Sequence, residues 1–155
     1  MDKQQIELIG MAALTAALVR EGFEIARPIR DRGVDLIIFS DASARPSAIP
    51  LQVKVHSETG LDVCREKYRN FPGLVYAIVW RALSQPHYFL FDHDEAVALI
   101  PETSRQLSSW TRAKGHWAWT HPVPQHVQLN MAPLENRWEW LRSRLLRSDR
   151  AGTQI

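Results

Sequence analysis

Four side chains in this 155-residue chain have types and spacings suited to metal-assisted chemistry: Glu7, Asp35, Gln52 and Lys54. Gln52 and Lys54 stand two apart in "LQVKV" (51–55), so on a strand they share one face while Leu51, Val53 and Val55 take the other. Asp35 lies within "GVDLIIF" (33–39), a stretch otherwise apolar on both faces, where a carboxylate is costly unless paired or bound to a cation. Glu7 falls in helical register with Met11, Leu14 and Leu18, an apolar row, which directs its carboxylate towards the interior or the lip of a cleft. Two carboxylates and an amide oxygen are the hard donors that Mg²⁺ prefers. Such an ion lowers the pKa of a bound water and neutralises charge developing on a phosphodiester. The Lys54 ammonium is suited to orienting that water or to holding a fixed positive charge in the transition state.

Each of these residues also has a plainer use. Asp35 could be a structural carboxylate paired with Arg30 or Arg32. Gln52 and Lys54 could form the solvent face of an edge strand, and Glu7 could be an exposed helix residue. Asp31 is an alternative ligand, but its place beside Gly33 reads as a turn.

The elements that must position these groups follow from the pattern. Residues 3–20 read as a helix with Ile6, Ile9, Ala13, Ala16 and Ala17 near one another and Gly22 past its end. Strands are expected at 23–27, 34–39, 49–55, 74–80 and 87–91, the fourth ("LVYAIVW") apolar enough to be covered on both faces. "SDASARPSA" (40–48) is a loop. "LDVCREKYRNF" (61–71) reads as a helix ended by Pro72-Gly73. A helix starts after Asp92, with Glu95 three residues on as a capping box. Residues 101–133 read as loops and short strands. A last helix spans 134–146 with Leu134, Trp138, Leu141 and Leu145 as its apolar stripe, and the chain from Ser148 reads as a flexible tail. The expected fold is α/β (α+β): a central mixed sheet flanked by helices, in one domain over 1–147.

With this order on the page, the chain resembles the PD-(D/E)xK nuclease superfamily, of restriction-endonuclease-like fold. Within it the chain is most similar to Holliday-junction-resolvase-like and related small bacterial nucleases. "GVDLIIF", "LQVKV" and the helix bearing Glu7 carry the resemblance, which covers about residues 1–92 with an αβββαβ core and leaves the Trp-rich extension 101–147 outside. It implies a Mg²⁺- or Mn²⁺-dependent endonuclease acting on DNA. Asp35 would be the first-motif metal ligand, Gln52 the second-motif residue and Lys54 its lysine. Val53 and Glu7 would join the metal site. Gln52 departs from the commoner Glu or Asp, as in a Q-x-K variant, and removes one negative charge. Arg27, Arg30, Arg32 and Arg45 flank these motifs and are candidates for phosphate contacts. The resemblance also implies dimers, for which the Trp-rich segment could supply an interface.

Composition narrows the rest. A hydrophobic share of 45% suits a globular chain with a real core, and the net charge of +2 says little about a polyanionic partner. Residues 137–155 hold five Arg against two acids, a basic end that reads first as solvated. No apolar run approaches the roughly 20 residues that span a bilayer, and the first residues lack a basic, then apolar, leader pattern. Cys64 is the sole cysteine, which leaves no internal disulfide and no thiolate cage. A cytoplasmic setting is the expectation. His116, His121 and His126 recur every five residues and share no face. Five of the six Trp fall between Trp110 and Trp140, as core or interface aromatics first and a platform for bases second. Two rivals stay open: a catalytically silent member of the same fold that binds DNA or protein, and a structural or regulatory domain unrelated to nucleases.

Overall fold

The computed structural model describes residues 1–30, 32–40, 47–64, 71, 73–102, 116–119 and 122–151. Helix α1 runs Lys3–Arg20, and its first turn is closed by a capping box in which Asp2 and Gln5 bond each other's backbone N–H. Strands β1 (Glu24–Ala26), β2 (Leu36–Ser40), β3 (Ser47–Val55), β4 (Leu61–Cys64), β5 (Val75–Trp80) and β6 (His87–Phe91) follow. Then come α2 (His93–Leu99), β7 (His116–Trp119), α3 (Gln125–Met131), a 3₁₀ turn (Ala132–Leu134) and α4 (Trp138–Ala151). The main sheet has the order β1-β2-β3-β5-β6, with β3 parallel to β5 and the other neighbours antiparallel; β4 and β7 form a separate antiparallel pair. This is an α/β fold: an N-terminal helix, a five-stranded mixed sheet, and C-terminal helices packed on it.

The sheet divides the core into two layers because alternate residues of β5 face opposite ways. Val75, Ala77 and Val79 pack with Leu14 and Leu18 of α1, Leu51 and Val53 of β3, and Leu141 and Leu145 of α4. Tyr76, Ile78 and Trp80 pack on the other side with Leu61 and Val63 of β4, Leu99 of α2 and Val127 of α3. The Tyr76 hydroxyl ties β4 to the sheet by accepting from the Cys64 N–H and donating to the Cys64 carbonyl. Burial pushes this phenol well above its ordinary pKa range.

Several expectations need correction. Residues 61–64 are strand, not the first turn of a helix, because Leu61 and Val63 alternate inward and pair with Trp119 and Trp117 of β7; residues 65–70 lie outside the described residues. The stretch 101–133 holds the short strand β7, in keeping with the expectation, but also the helix α3. The last helix begins at Trp138 after the 3₁₀ turn, and its backbone continues to Ala151, past the expected start of a tail. On α1 the inward row is Gly10, Leu14, Ala17 and Leu18, whereas Ile9 is 39% exposed and Ala16 is exposed. Three arginines of the basic C-terminal end are tied to acids, Arg137 to Glu95, Arg142 to Glu21 and Glu139, and Arg144 to Asp92, while Arg147 is exposed. Arg137 and Arg144 also lie over the Trp140 ring, at 4.2 and 4.9 Å from its centroid. These guanidinium groups are therefore engaged within the fold rather than displayed as a phosphate-binding stripe.

Gly10 is where α1 meets β3 most closely. A Cβ there would stand 2.2 Å from Val55 Cγ1 and 3.1 Å from Val55 Cβ, so turning the Val55 side chain does not remove the overlap. Helix propensity alone would make Gly10→Ala stabilising by about 1 kcal/mol, but overpacking a core contact costs about 1–3 kcal/mol. The expected outcome is a net loss of stability, measured by urea unfolding; a variant more stable than wild type would show that α1 does not rest on β3 as described.

Candidate functional site

The strands end unevenly, and that unevenness makes a site. The first paired residue of β2 is Leu36, opposite Leu51, so β3 runs four residues past its neighbour on that side while β5 continues beside it through Val55. Asp35, just before β2, occupies the resulting notch. Its own N–H donates to the Leu51 carbonyl at 2.8 Å, and its Oδ2 accepts the Val53 N–H at 2.7 Å. The carboxylate thus serves a backbone donor that β2 no longer reaches. Asp35 is half-buried at the strand's lip, not inside the strand as the pattern suggested. The carboxylate bonds the Val53 backbone, and Arg30 and Arg32 are exposed.

Gln52 and Lys54 face the second core layer, in register with Tyr76 and Ile78 of β5. Over 52–55 β3 has β5 beside it but no longer β2, and it is the burial of Gln52 that shows this is not a solvent face. Gln52 is only 2% exposed. Its Oε1 is buried with no hydrogen-bond partner among the described residues, an arrangement that costs about 1–3 kcal/mol unless something else satisfies the oxygen. Lys54 is half-buried.

A cleft of about 630 Å³ opens at this notch. Glu7, Asp35, Gln52, Val53 and Lys54 all line it, so the fold brings together the residues picked out by type and spacing. Glu7 sits at the rim, its side chain 53% exposed and 3.7 Å from Lys3. Arg27, Arg30 and Arg32 are exposed and do not line the cleft; Arg45 and Asp31 lie outside the described residues. The lining also includes Lys3, His56, Glu58, Thr59 and Asp62, which local pattern did not mark. Lys3 arrives on the first turn of α1, one turn before Glu7; the others arrive through the turn after β3 and through β4, whose placement depends on pairing with β7. Gly60 lets the turn close, since a Cβ there would stand 2.1 Å from the His56 ring.

The cleft carries four carboxylates (Glu7, Asp35, Glu58 and Asp62) against the ammonium groups of Lys3 and Lys54. An anionic ligand would be repelled from such a lining unless a cation entered with it. Among the described residues no three His, Cys, Asp or Glu side chains converge as a metal cage. A cation here would draw on two carboxylates, Glu7 and Asp35, with the Gln52 amide oxygen. That donor set is all oxygen, suits a hard ion that keeps several waters, and would give the buried Gln52 Oε1 a partner.

The Tyr88 and Trp138 rings meet tilted, with centroids 5.9 Å apart, and Trp138 and Trp140 pack against the first core layer, so these aromatics serve the core. The Asp92 carboxylate caps α2 in the expected box with Glu95. Of the three regularly spaced His, His116 is in β7, His126 in α3, and His121 lies outside the described residues; the first two are on different elements. Among the described residues no helix is long and apolar enough to cross a membrane. Comparison with protein-family models and with curated proteins finds no match for this chain.

Proposed function

We propose that the chain is a Mg²⁺- or Mn²⁺-dependent endonuclease that hydrolyses DNA phosphodiesters, as its resemblance to the PD-(D/E)xK nucleases implies. The observation that carries this reading is the buried, unpartnered Gln52 Oε1 in a cleft it shares with Asp35, Glu7 and Lys54. Asp35, Gln52 and Glu7 would hold the ion, with the Val53 backbone beside them. A bound ion supplies an acidified water and neutralises phosphate charge. The rest falls to the chain. Lys54, fixed on the central strand, presents its ammonium to the attacking water and to the phosphate oxygens as they gain negative charge. Asp35 is oriented by the Val53 N–H, which fixes one oxygen before any ligand arrives. The neutral Gln52 leaves the site one charge short of the commoner motif, and this favours one ion over two. Gln52 also keeps a silent DNA- or protein-binding module as the second reading.

The test is cleavage of plasmid, linear duplex, single-stranded and four-way-junction DNA in Mg²⁺, in Mn²⁺ and in EDTA. Metal-dependent cutting of at least one substrate is expected. Folded wild-type protein that cuts none of them would leave the silent module as the better reading.

A further inference from the structure

A second, smaller hollow of about 160 Å³ adjoins the cleft, with Thr59 forming part of both linings. Its buried aromatic surface comes from Trp80 and Phe89, with ring centroids 4.4 Å apart. Trp80 is held in place by donating its indole N–H to the Gly60 carbonyl at 2.6 Å. The polar part of the lining is Arg81, Gln128 and the pair His87 Nδ1 and Glu135 Oε1, which meet at 2.7 Å. A cavity of roughly 150 Å³ accommodates one benzene ring; this one, open and partly polar, has room for a single planar heterocycle. Both walls carry unusual backbone. Arg81 and Asn136, the residue after Glu135, are the two non-glycine residues with positive φ among the described residues, each at +51°. Asn tolerates that conformation, but Arg adopts it at a cost, and such strain gathers at binding sites. The Arg81 N–H donates to the Glu58 carbonyl, which ties this wall to the neighbouring cleft.

We infer that the Trp80–Phe89 hollow receives one unpaired nucleobase of the DNA strand whose phosphate lies in the cleft. The inference rests on the nuclease reading above and adds a substrate class to it: DNA with a locally unpaired strand, not continuous duplex. Trp80 and Phe89, 6% and 3% exposed, form the apolar floor on which the base rests, a contact of the kind aromatic side chains make in single-strand binding. The His87–Glu135 pair and Gln128 meet its polar edge, and Arg81, exposed at the mouth, stands where it can meet the adjoining phosphate.

The test measures binding with Ca²⁺ in place of Mg²⁺, a hard cation that oxygen donors accept and that acidifies bound water less, so that the acidic cleft is neutralised while cleavage does not intervene. Fluorescence anisotropy would be measured with a short single strand, with the same strand carrying one abasic site moved along its length, and with a matched duplex. Ala132→Trp fills the hollow from an exposed lining position without entering the core. Arg81→Gly relieves the strained backbone and removes the cation. Both variants would be checked for wild-type unfolding behaviour, and either one that folds serves the test. The expected result is single-strand affinity above duplex affinity, an abasic position at which wild-type affinity drops about tenfold or more, and a similar drop for Ala132→Trp that the abasic strand does not deepen. Unchanged single-strand affinity in a folded Ala132→Trp protein overturns the inference while leaving metal-dependent cutting, and so the nuclease reading, intact. Base-dependent binding without any cutting in Mg²⁺ or Mn²⁺ supports the hollow and removes the nuclease reading. No DNA binding by wild type overturns both.

Discussion

Lys54→Ala protein is expected to remain folded and to cut its preferred DNA about 10²- to 10³-fold more slowly than wild type in saturating Mg²⁺, the loss typical when one preorganised charge is removed from a developing anion. Lys54 is half-buried with its stem along the cleft, so truncation opens space at a surface already open to water and should cost little stability. Asp35 needs a more careful substitution. Asp35→Ala would leave the Val53 N–H without its acceptor, at about 1–3 kcal/mol, and lost cutting could then follow from a disturbed notch. Asp35→Asn keeps an oxygen for that N–H and removes only the charge. The expected pair of results is near-wild-type urea unfolding for Asp35→Asn with cutting reduced as severely as in Lys54→Ala. Should either Lys54→Ala or Asp35→Asn cut at the wild-type rate in single-turnover assays, the assignment of this cleft as the reacting site would be wrong.

The second large effect is expected at Gln52, read from stability rather than activity. Gln52→Glu restores the commoner carboxylate but places it where the side chain is 2% exposed. Without a cation, a buried carboxylate is either charged at a heavy desolvation cost or kept protonated, its pKa raised. A raised folded-state pKa means the unfolded chain gives up the proton first. The variant's deficit relative to wild type should therefore be small in acid and grow as pH rises through the range between the unfolded and folded values. Near pH 7 in EDTA it should be several kcal/mol less stable. Mg²⁺ should recover much of this, since a ligand at a hundred times its Kd contributes about 2.7 kcal/mol, and wild type should respond less because its site carries one charge fewer. Thermal unfolding with and without Mg²⁺ checks the idea. A Gln52→Glu protein as stable in EDTA as in Mg²⁺ would mean that no cation sits beside this residue.

The parts of the fold that were readable from sequence are those governed by neighbours in the chain. The end of α1 follows from Gly22, β6 from the four apolar and aromatic residues after His87, and the start of α2 from Asp92 and Glu95. Leu61–Cys64 was misread because its strand identity comes from β7, more than fifty residues later; locally, "LDVCREKYRNF" has good helix formers and no turn signal before Pro72. The same applies to the cleft. Alternation in "LQVKV" put Gln52 and Lys54 on one face, but not in the middle of a five-stranded sheet. Asp35 and Glu7 were identified as polar groups in apolar settings, and both line the cleft. Lys3 comes with Glu7 as its i,i+4 neighbour on α1, whereas Glu58 and Asp62 join them only through tertiary placement. The arginines taken from proximity in sequence fared differently: Arg27, Arg30 and Arg32 precede β2 and stay outside the lining.

The short reach of β2 has one more effect. A strand that outruns its neighbour offers unpaired backbone donors and acceptors, and such edges recruit strands from other molecules into aggregates. At Val53 the offer is withdrawn, because the N–H is already taken by a carboxylate that no incoming strand can displace without stranding a charge. Lys54 and Glu7 add the inward-facing and rim charges that natural sheets use for the same purpose. The notch is thereby open to a ligand that brings its own oxygens and closed to one that brings only a polypeptide backbone.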